Sequence, residues 1–168
     1  MQCVHHVGYT VPDIERSVAF YENVLGFACL TRQTVVGGYL AEITGYPDVA
    51  MEQAFVALPG GVILELLQYT RPQGAPRSLE TFYPGVAHVC LQVEDLQTLY
   101  ERLKDAGVAF RSPLVTIPSG RNKGGRAVYF RDPDGITWEL FQRPADAQPT
   151  FRTFSEPVKG PETPCDTI

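Results

Sequence analysis

One short pattern occurs twice in this chain and constrains its fold more than any other feature. Residues 6–13 and 88–95 each begin with histidine and end with aspartate, and they lie 82 residues apart. Because side chains alternate between the two faces of a strand, each copy predicts a strand that carries its histidine on the more polar face. His5 has the opposite parity, so it is expected to be structural and to lie against a helix. The duplication predicts two related modules, each of which aims one histidine at a common cavity.

The same signals follow both copies of the pattern. An aspartate suited to helix capping precedes apolar residues at helical spacing, and a glycine then ends the helix. These caps and stops are Asp13 and Gly26 in the first half and Asp95 and Gly107 in the second. Strand-like segments come next in both halves, including residues 39–43. We therefore expect an α+β fold of two βαβββ modules that form an incompletely closed, mainly antiparallel barrel with helices outside.

Proline-rich segments set the expected boundaries. Residues 1–74 should form the first module and residues 84–143 the second, with a connector that cannot sustain regular structure between them. Residues 144–168 contain further prolines and no sustained periodicity, so they are expected to form a C-terminal tail. Its Phe151 and Phe154 need a surface to cover them. Together with open sheet edges, this predicts a homodimer, and packing of the tail on its own chain is the alternative.

Composition narrows the class of partner. The chain has 14 basic and 19 acidic residues, a net charge of -5 and a pI of about 5.2, which argue against general affinity for nucleic acid or anionic membranes. No apolar run approaches the roughly 20 residues that span a bilayer, and no signal-like segment opens the sequence. The four cysteines have neither metal-site spacing nor the density of a disulfide framework. These features predict a cytoplasmic protein with a small-molecule partner.

Two glutamates complete a pattern of possible metal ligands. Glu65 follows His6 by 59 residues and Glu139 follows His88 by 51, each in the last predicted strand of its module. A charge among apolar neighbours is costly unless a cation or a proton accompanies it. Two imidazoles and two carboxylates suit one divalent ion, which we expect to be zinc, nickel, cobalt, manganese or iron. The alternative is that all four residues are structural, and their duplication argues against it.

A glycine-rich basic segment lies between two predicted strands of the second module. Residues 119–126 contain three cations and three glycines. Arg121 and Arg126 are candidates for binding an anionic group of a substrate, as parts of a mobile flap. A solvated hairpin tip is the alternative for this segment.

Two longer segments resemble a known family. Residues 6–21, continuing into residues 24–27, are similar to the opening motif of the vicinal oxygen chelate superfamily, and residues 129–139 are similar to its closing motif. This superfamily contains glyoxalase I, methylmalonyl-CoA epimerase, bleomycin-resistance proteins and extradiol dioxygenases. The resemblance covers about residues 1–143. It implies the paired βαβββ fold and a metal ion held by the matching residues, which are His6, Glu65, His88 and Glu139.

The branches of this superfamily imply different reactions. Glyoxalase I and the epimerases have four-ligand sites, with carboxylates at the positions of Glu65 and Glu139 that can also transfer protons. Extradiol dioxygenases use two histidines and one carboxylate around iron, so Glu65 argues against that branch. Bleomycin-resistance proteins generally lack the ligand set. The residues after Glu65 lack the Asn-Trp-Gly of glyoxalase I, which argues against a glutathione adduct as substrate.

These observations predict a metal-dependent isomerase, epimerase or lyase acting on a small carbonyl compound. The metal would stabilise an enolate or enediolate, and Glu139, with Glu65 opposite, would transfer the proton. The alternatives are an iron-dependent extradiol-type dioxygenase and a resistance or binding protein that sequesters a ligand. The resemblance leaves open whether the metal site lies within one chain or is shared across a dimer.

Overall fold

The computed structural model describes residues 4–145. Its elements in chain order are β1 (His6–Thr10), α1 (Ile14–Asn23), β2 (Ala28–Val36), α2 (Tyr39–Thr44), β3 (Ala50–Ala57), β4 (Ile63–Arg71), β5 (Val89–Gln92), α3 (Leu96–Asp105), β6 (Ala109–Phe110), β7 (Val115–Thr116), β8 (Arg126–Arg131) and β9 (Thr137–Gln142). The predicted tail, with Phe151 and Phe154, lies outside the described residues from position 146 onward. Within the described range the longest helices have 10 residues, too short to cross a membrane.

The strands form two sheets of matching topology. The first has the order β1-β4-β3-β2, and the second has the order β5-β9-β8-β6, with β7 also paired to β8. In each sheet the opening strand runs parallel to the last one, and the other neighbours are antiparallel. The α+β class is therefore confirmed. The incompletely closed barrel is not confirmed, because the two sheets share no hydrogen-bonded edge within residues 4–145.

Helix α1 lies against both sheets. Asp13 caps it by accepting a hydrogen bond from the Arg16 backbone N–H at 3.0 Å. Its buried face includes Val18 and Tyr21, and the Tyr21 ring lies 5.6 Å from the ring of Trp138 in β9. Burying side chains of this size stabilises the fold by roughly 1.5–3 kcal/mol each. Helix α1 therefore lies in the shared core between the two sheets, and the expected position of the helices outside a barrel stays a prediction.

Asp132 joins α1 to the turn between β8 and β9. One of its carboxylate oxygens accepts hydrogen bonds from the Tyr21 hydroxyl at 2.6 Å and from Trp138 Nε1 at 3.4 Å. The other accepts the backbone N–H groups of Asp134 and Ile136. Burial is the main cause that raises the pKa of Asp132 above its usual range. The predicted turn is therefore also the contact that fixes one module against the other.

A single apolar core links the two sheets. It contains Leu64 and Leu66 of β4 together with Trp138 and Leu140 of β9. Since side chains alternate along a strand, Glu65 and Glu139 lie on the opposite face of their sheets. We call these two outward faces the open faces. The predicted site residues therefore lie on open faces, away from the shared core.

Two local predictions are wrong. Residues 39–43, predicted as a strand, belong to α2, which starts after Gly38 and ends at Gly45 in a left-handed conformation with φ of 74°. The helix buries Leu40 against Val49 and Met51, and this packing overrides the strand propensity of its residues. The second opening strand was expected to carry His88, but β5 begins at Val89, so His88 immediately precedes the strand.

Candidate active site

The first half-site consists of His6 and Glu65 on the open face of the first sheet. His6 Nε2 lies 3.0 Å from Glu65 Oε2, and the side chains are 40% and 11% exposed. Gly8 is the register partner of Glu65 across the parallel β1–β4 pair, so His6 reaches the carboxylate diagonally. His6 thus sits on an edge strand, with Glu65 on the strand inside it.

A row of polar side chains holds Glu65 in place. Gln53 Nε2 donates to Glu65 Oε1 at 3.2 Å, and Gln33 Nε2 donates in turn to Gln53 Oε1 at 2.6 Å. Both oxygens of Glu65 are therefore engaged, one by Gln53 and one by His6. Sequence reasoning did not single out Gln53, although its alternation with Ala54 in a predicted strand places it on the Glu65 face.

His5 was predicted to lie against a helix, and this prediction is wrong. It is exposed, and its Nδ1 lies 2.7 Å from Nδ1 of His6. The two rings meet edge to face with centroids 5.0 Å apart. His5 therefore contacts the ring nitrogen of His6 that faces away from Glu65.

The second half-site consists of His88 and Glu139 on the open face of the second sheet. His88 Nε2 lies 3.2 Å from Glu139 Oε2, and the side chains are 36% and 21% exposed. The Tyr129 hydroxyl lies 3.4 Å from the same histidine nitrogen. Cys90 is the register partner of Glu139, and burial, followed by the charge of Glu139, raises the pKa of its thiol to about 12. Tyr129 was not identified from the sequence as part of the site.

The two half-sites do not meet within one chain. Within residues 4–145, no group of three or more histidine, cysteine, aspartate or glutamate side chains is positioned to hold a metal ion. Each half-site instead presents one nitrogen and one oxygen on an open face. The four predicted ligands are thus paired, but they are not brought together by a single copy of the chain.

The spacing of each half-site is compatible with two ligands of a metal ion, and it is also that of a hydrogen bond between the two side chains. Two ligand atoms bound at about 2.1 Å and at right angles to each other lie about 3.0 Å apart. The observed separations of 3.0 and 3.2 Å match this value. Imidazole nitrogen and carboxylate oxygen together suit zinc and the neighbouring divalent transition metals. The donor set and its spacing therefore fit two ligands of a four-ligand centre in each half-site.

The structure does not bring Arg126 to the second half-site. Its guanidinium donates to Gln97 Oε1 on α3 at 2.7 Å. Side chains alternate along β8, and Arg126 shares a face with the buried core residues Val128 and Phe130. Arg126 therefore lies on the face of the sheet opposite Glu139. Arg121 is exposed in the preceding loop. Substrate binding by these two arginines stays a prediction.

The match to a known family extends over most of the chain. Residues 4–140 match the model of the Glyoxalase/Bleomycin resistance protein/Dioxygenase superfamily. The chain therefore belongs to this superfamily, and the resemblance found in its sequence motifs is confirmed.

Individual relatives agree with this assignment. The chain is 32% identical to a 2-epi-5-epi-valiolone epimerase from an Actinomyces species, over 86% of this chain and 81% of the relative. It is 28% identical to the human mitochondrial methylmalonyl-CoA epimerase, over 83% and 73% of the two chains. A glyoxalase family protein from Bacillus cereus has the same fold, with a TM-score of 0.72, 22% identity and coverage of 86% and 95%. Relatives of this chain are thus epimerases, and further relatives are lactoylglutathione lyases.

Proposed function

We propose that this protein is an epimerase that moves a proton at a carbon atom next to a carbonyl group. The observation that carries the proposal is the duplicated histidine–glutamate pair, in which each open face presents one carboxylate. Inverting a carbon centre needs one group that removes a proton from one side and another that returns it to the other side. Two opposed glutamates meet this need, and two relatives of the chain are named as epimerases.

We propose further that the active site forms between two copies of the chain. The first half-site of one copy would face the second half-site of the other, which generates two equivalent sites in a homodimer. Three features support this arrangement. The histidines are 40% and 36% exposed, they lie at the edge strands β1 and β5, and the two open faces point away from the shared core. Apposing these edges would also produce the predicted barrel and cover strands that proteins rarely leave bare.

The completed site would contain the four predicted ligands. A divalent ion held by His6 and Glu65 of one copy and by His88 and Glu139 of the other would supply a Lewis acid for the carbonyl oxygen. The predicted choice among zinc, nickel, cobalt, manganese and iron is unchanged by the geometry, because all accept this donor set.

The two glutamates would have different roles. Glu65 is held on both oxygens, whereas Glu139 contacts His88 and the thiol of Cys90, which is only a weak donor. Glu139 is therefore the freer carboxylate, and we assign to it the removal of the proton from carbon. Glu65 would return a proton from the opposite side. The Tyr129 hydroxyl, beside His88, is placed to donate a hydrogen bond to a substrate oxygen.

Proton exchange in heavy water tests this proposal. The purified protein, with its metal content measured, is incubated with 2-oxo and 2-hydroxy carbonyl compounds, and deuterium at the adjacent carbon is followed by NMR. We expect exchange with loss of stereochemical purity, about one divalent ion per chain in a dimer, and loss of exchange in His6→Ala. Ligand binding without exchange would favour the sequestering protein instead, and oxygen consumption with a catechol would favour the dioxygenase.

A further inference from the structure

A cavity opens on the second sheet beside the second half-site. Its volume is about 470 Å³, and its lining includes Glu80, Phe82, Arg111 and Tyr129. Tyr129 connects the two features, because its hydroxyl lies 3.4 Å from His88 Nε2. A molecule in this cavity would therefore lie next to the atoms assigned to the reaction.

Two arginines converge on Glu80: Arg111, which lines the cavity, and Arg131, which contacts Glu80 but is not one of the lining residues. Arg111 Nη2 lies 2.6 Å from Glu80 Oε2, and Arg131 Nη2 lies 2.5 Å from Glu80 Oε1. Glu80 belongs to the connector between the two sheets, whereas both arginines belong to the second module. The contacts with Arg111 and then Arg131 lower the pKa of Glu80 below its usual range. Two guanidiniums thus face one carboxylate, which leaves a net positive charge at this corner, and a segment of the chain itself compensates part of it.

The fit between Glu80 and Arg131 is incomplete. Nε of Arg131 is buried and has no hydrogen-bond partner among the described residues, whereas Nη2 of the same side chain is paired with Glu80 Oε1. A guanidinium usually pairs two of its N–H groups with the two oxygens of one carboxylate. Glu80 gives one oxygen to each arginine instead, and buried donors left unpaired are costly. A carboxylate that is not tethered to the connector can align with this edge of Arg131.

We propose that the cavity is the subsite for a carboxylate group of the substrate, and that Glu80 occupies this subsite as an internal substitute until the substrate displaces it. Arg131 is two residues from Tyr129 on the same face of β8, a distance of about 7 Å along the strand. The substrate would then carry its carboxylate about that far from the carbonyl group at the second half-site. This assignment of substrate class rests on the proposed epimerase function.

Calorimetric titration of the full chain with succinate tests the subsite. Succinate has two carboxylates and no ketone or aldehyde, so its binding does not depend on turnover. We expect Glu80→Gln to bind succinate at least about tenfold more tightly than the unchanged protein, because the internal competitor has lost its charge. Adding Arg131→Lys to that variant should remove the gain, since lysine lacks the planar fork. The control Glu94→Gln makes the same change in net charge outside the cavity and should bind as the unchanged protein does.

The outcomes separate this inference from its rivals. Equal affinity of Glu80→Gln and the unchanged protein would mean that Glu80 only fastens the connector, and the proposal would be wrong. Tighter binding of inorganic phosphate than of succinate would overturn the assignment to carboxylates. If Glu80→Gln does not fold, judged by circular dichroism, Glu80→Asp withdraws the carboxylate by one methylene and should still show part of the gain; no gain there overturns the proposal. A protein that shows the gain but no proton exchange would keep the subsite and lose the epimerase function.

Discussion

The first and second half-sites have the same histidine–glutamate pair on the same strand pattern, yet the two pairs are supported by different neighbours. In the first, Gln53 fixes Glu65, and the side chain is 11% exposed. In the second half-site, the position equivalent to Gln53 is Ala127, whose methyl side chain cannot form a hydrogen bond, and the Glu139 side chain is 21% exposed. The register partners of the two glutamates also differ. Glu65 lies between Gly8 and Phe55, whereas Glu139 lies between Cys90 and Tyr129.

The difference indicates how a duplicated site can take on two roles. Both modules keep the histidine and the glutamate in close contact. The surrounding residues have diverged, which makes one carboxylate rigid and leaves the other less restrained. We therefore expect the first half-site to act mainly as the anchor and the second as the place where the proton is first removed.

The largest expected effect is on proton exchange. Glu139→Gln should lower exchange of the substrate enantiomer on which Glu139 acts by about 10²–10⁴-fold, because the general base is lost. Glu65→Gln is the matched variant, and it should keep exchange of that enantiomer while losing net epimerisation. NMR in heavy water at saturating metal measures both quantities. Equal effects of the two variants on exchange would remove the distinction between anchor and base.

Stability should depend strongly on the turn that docks the modules. Asp132→Ala leaves the Tyr21 hydroxyl and Trp138 Nε1 without their buried acceptor, so we expect a loss of about 2–4 kcal/mol in the free energy of unfolding. Urea denaturation measures it. Asp48→Ala, in an exposed loop, should change stability by less than about 0.5 kcal/mol. A similarly small loss for Asp132→Ala would contradict the role of this turn in joining the modules.

The support of Glu65 by Gln53 can be removed by itself. Gln53→Ala should weaken zinc binding about tenfold, because residues that orient a ligand typically contribute 10–100-fold to metal affinity. Gln33→Ala removes the next hydrogen bond in the row and should have a smaller effect. Competition titration with a zinc chelator measures the affinities. If both variants bind zinc as the unchanged protein does, the polar row is not what distinguishes the half-sites.

A smaller effect is expected in the dependence of stability on pH. The pKa of Asp132 is raised in the folded state, mainly by burial, so the folded protein holds this proton more tightly than the unfolded chain. Its contribution to stability is thus fully present below the ordinary aspartate pKa and is lost as the pH rises through the folded pKa. The difference in free energy of unfolding between the unchanged protein and Asp132→Asn should therefore become smaller as the pH rises from the ordinary aspartate pKa through the raised pKa of the folded state. A difference that stays constant or grows with rising pH would contradict this.

The fold was largely predictable because its strongest signals are local. Asp13 caps its helix as predicted, and Glu65 lies in the last strand of the first module as expected. Residues 39–43 misled the prediction, since Leu40 gains more from packing on Val49 and Met51 than its segment gains from strand propensity.

The pairing of the site residues was also accessible from the sequence, whereas their surroundings were not. Parity and duplication selected the four residues that form the two close pairs. The contact of Gln53 with Glu65 and the convergence of Arg111 on Glu80 depend on register and on the path of the connector, which no local pattern specifies. The placement of both open faces away from the core follows from the docking of α1 on β9, a long-range contact of the same kind.

In the proposed dimer, each active site takes its first half-site from one copy and its second half-site from the other. Chains carrying His6→Ala and chains carrying His88→Ala should each be inactive alone. Coexpressed in equal amounts, half of the dimers would be mixed, and each mixed dimer would contain one intact site. We therefore expect recovery of about one quarter of the unchanged protein's exchange activity and of its tightly bound metal. No recovery in dimers shown to be mixed would mean that the half-sites do not meet across the interface, and the shared active site would be wrong.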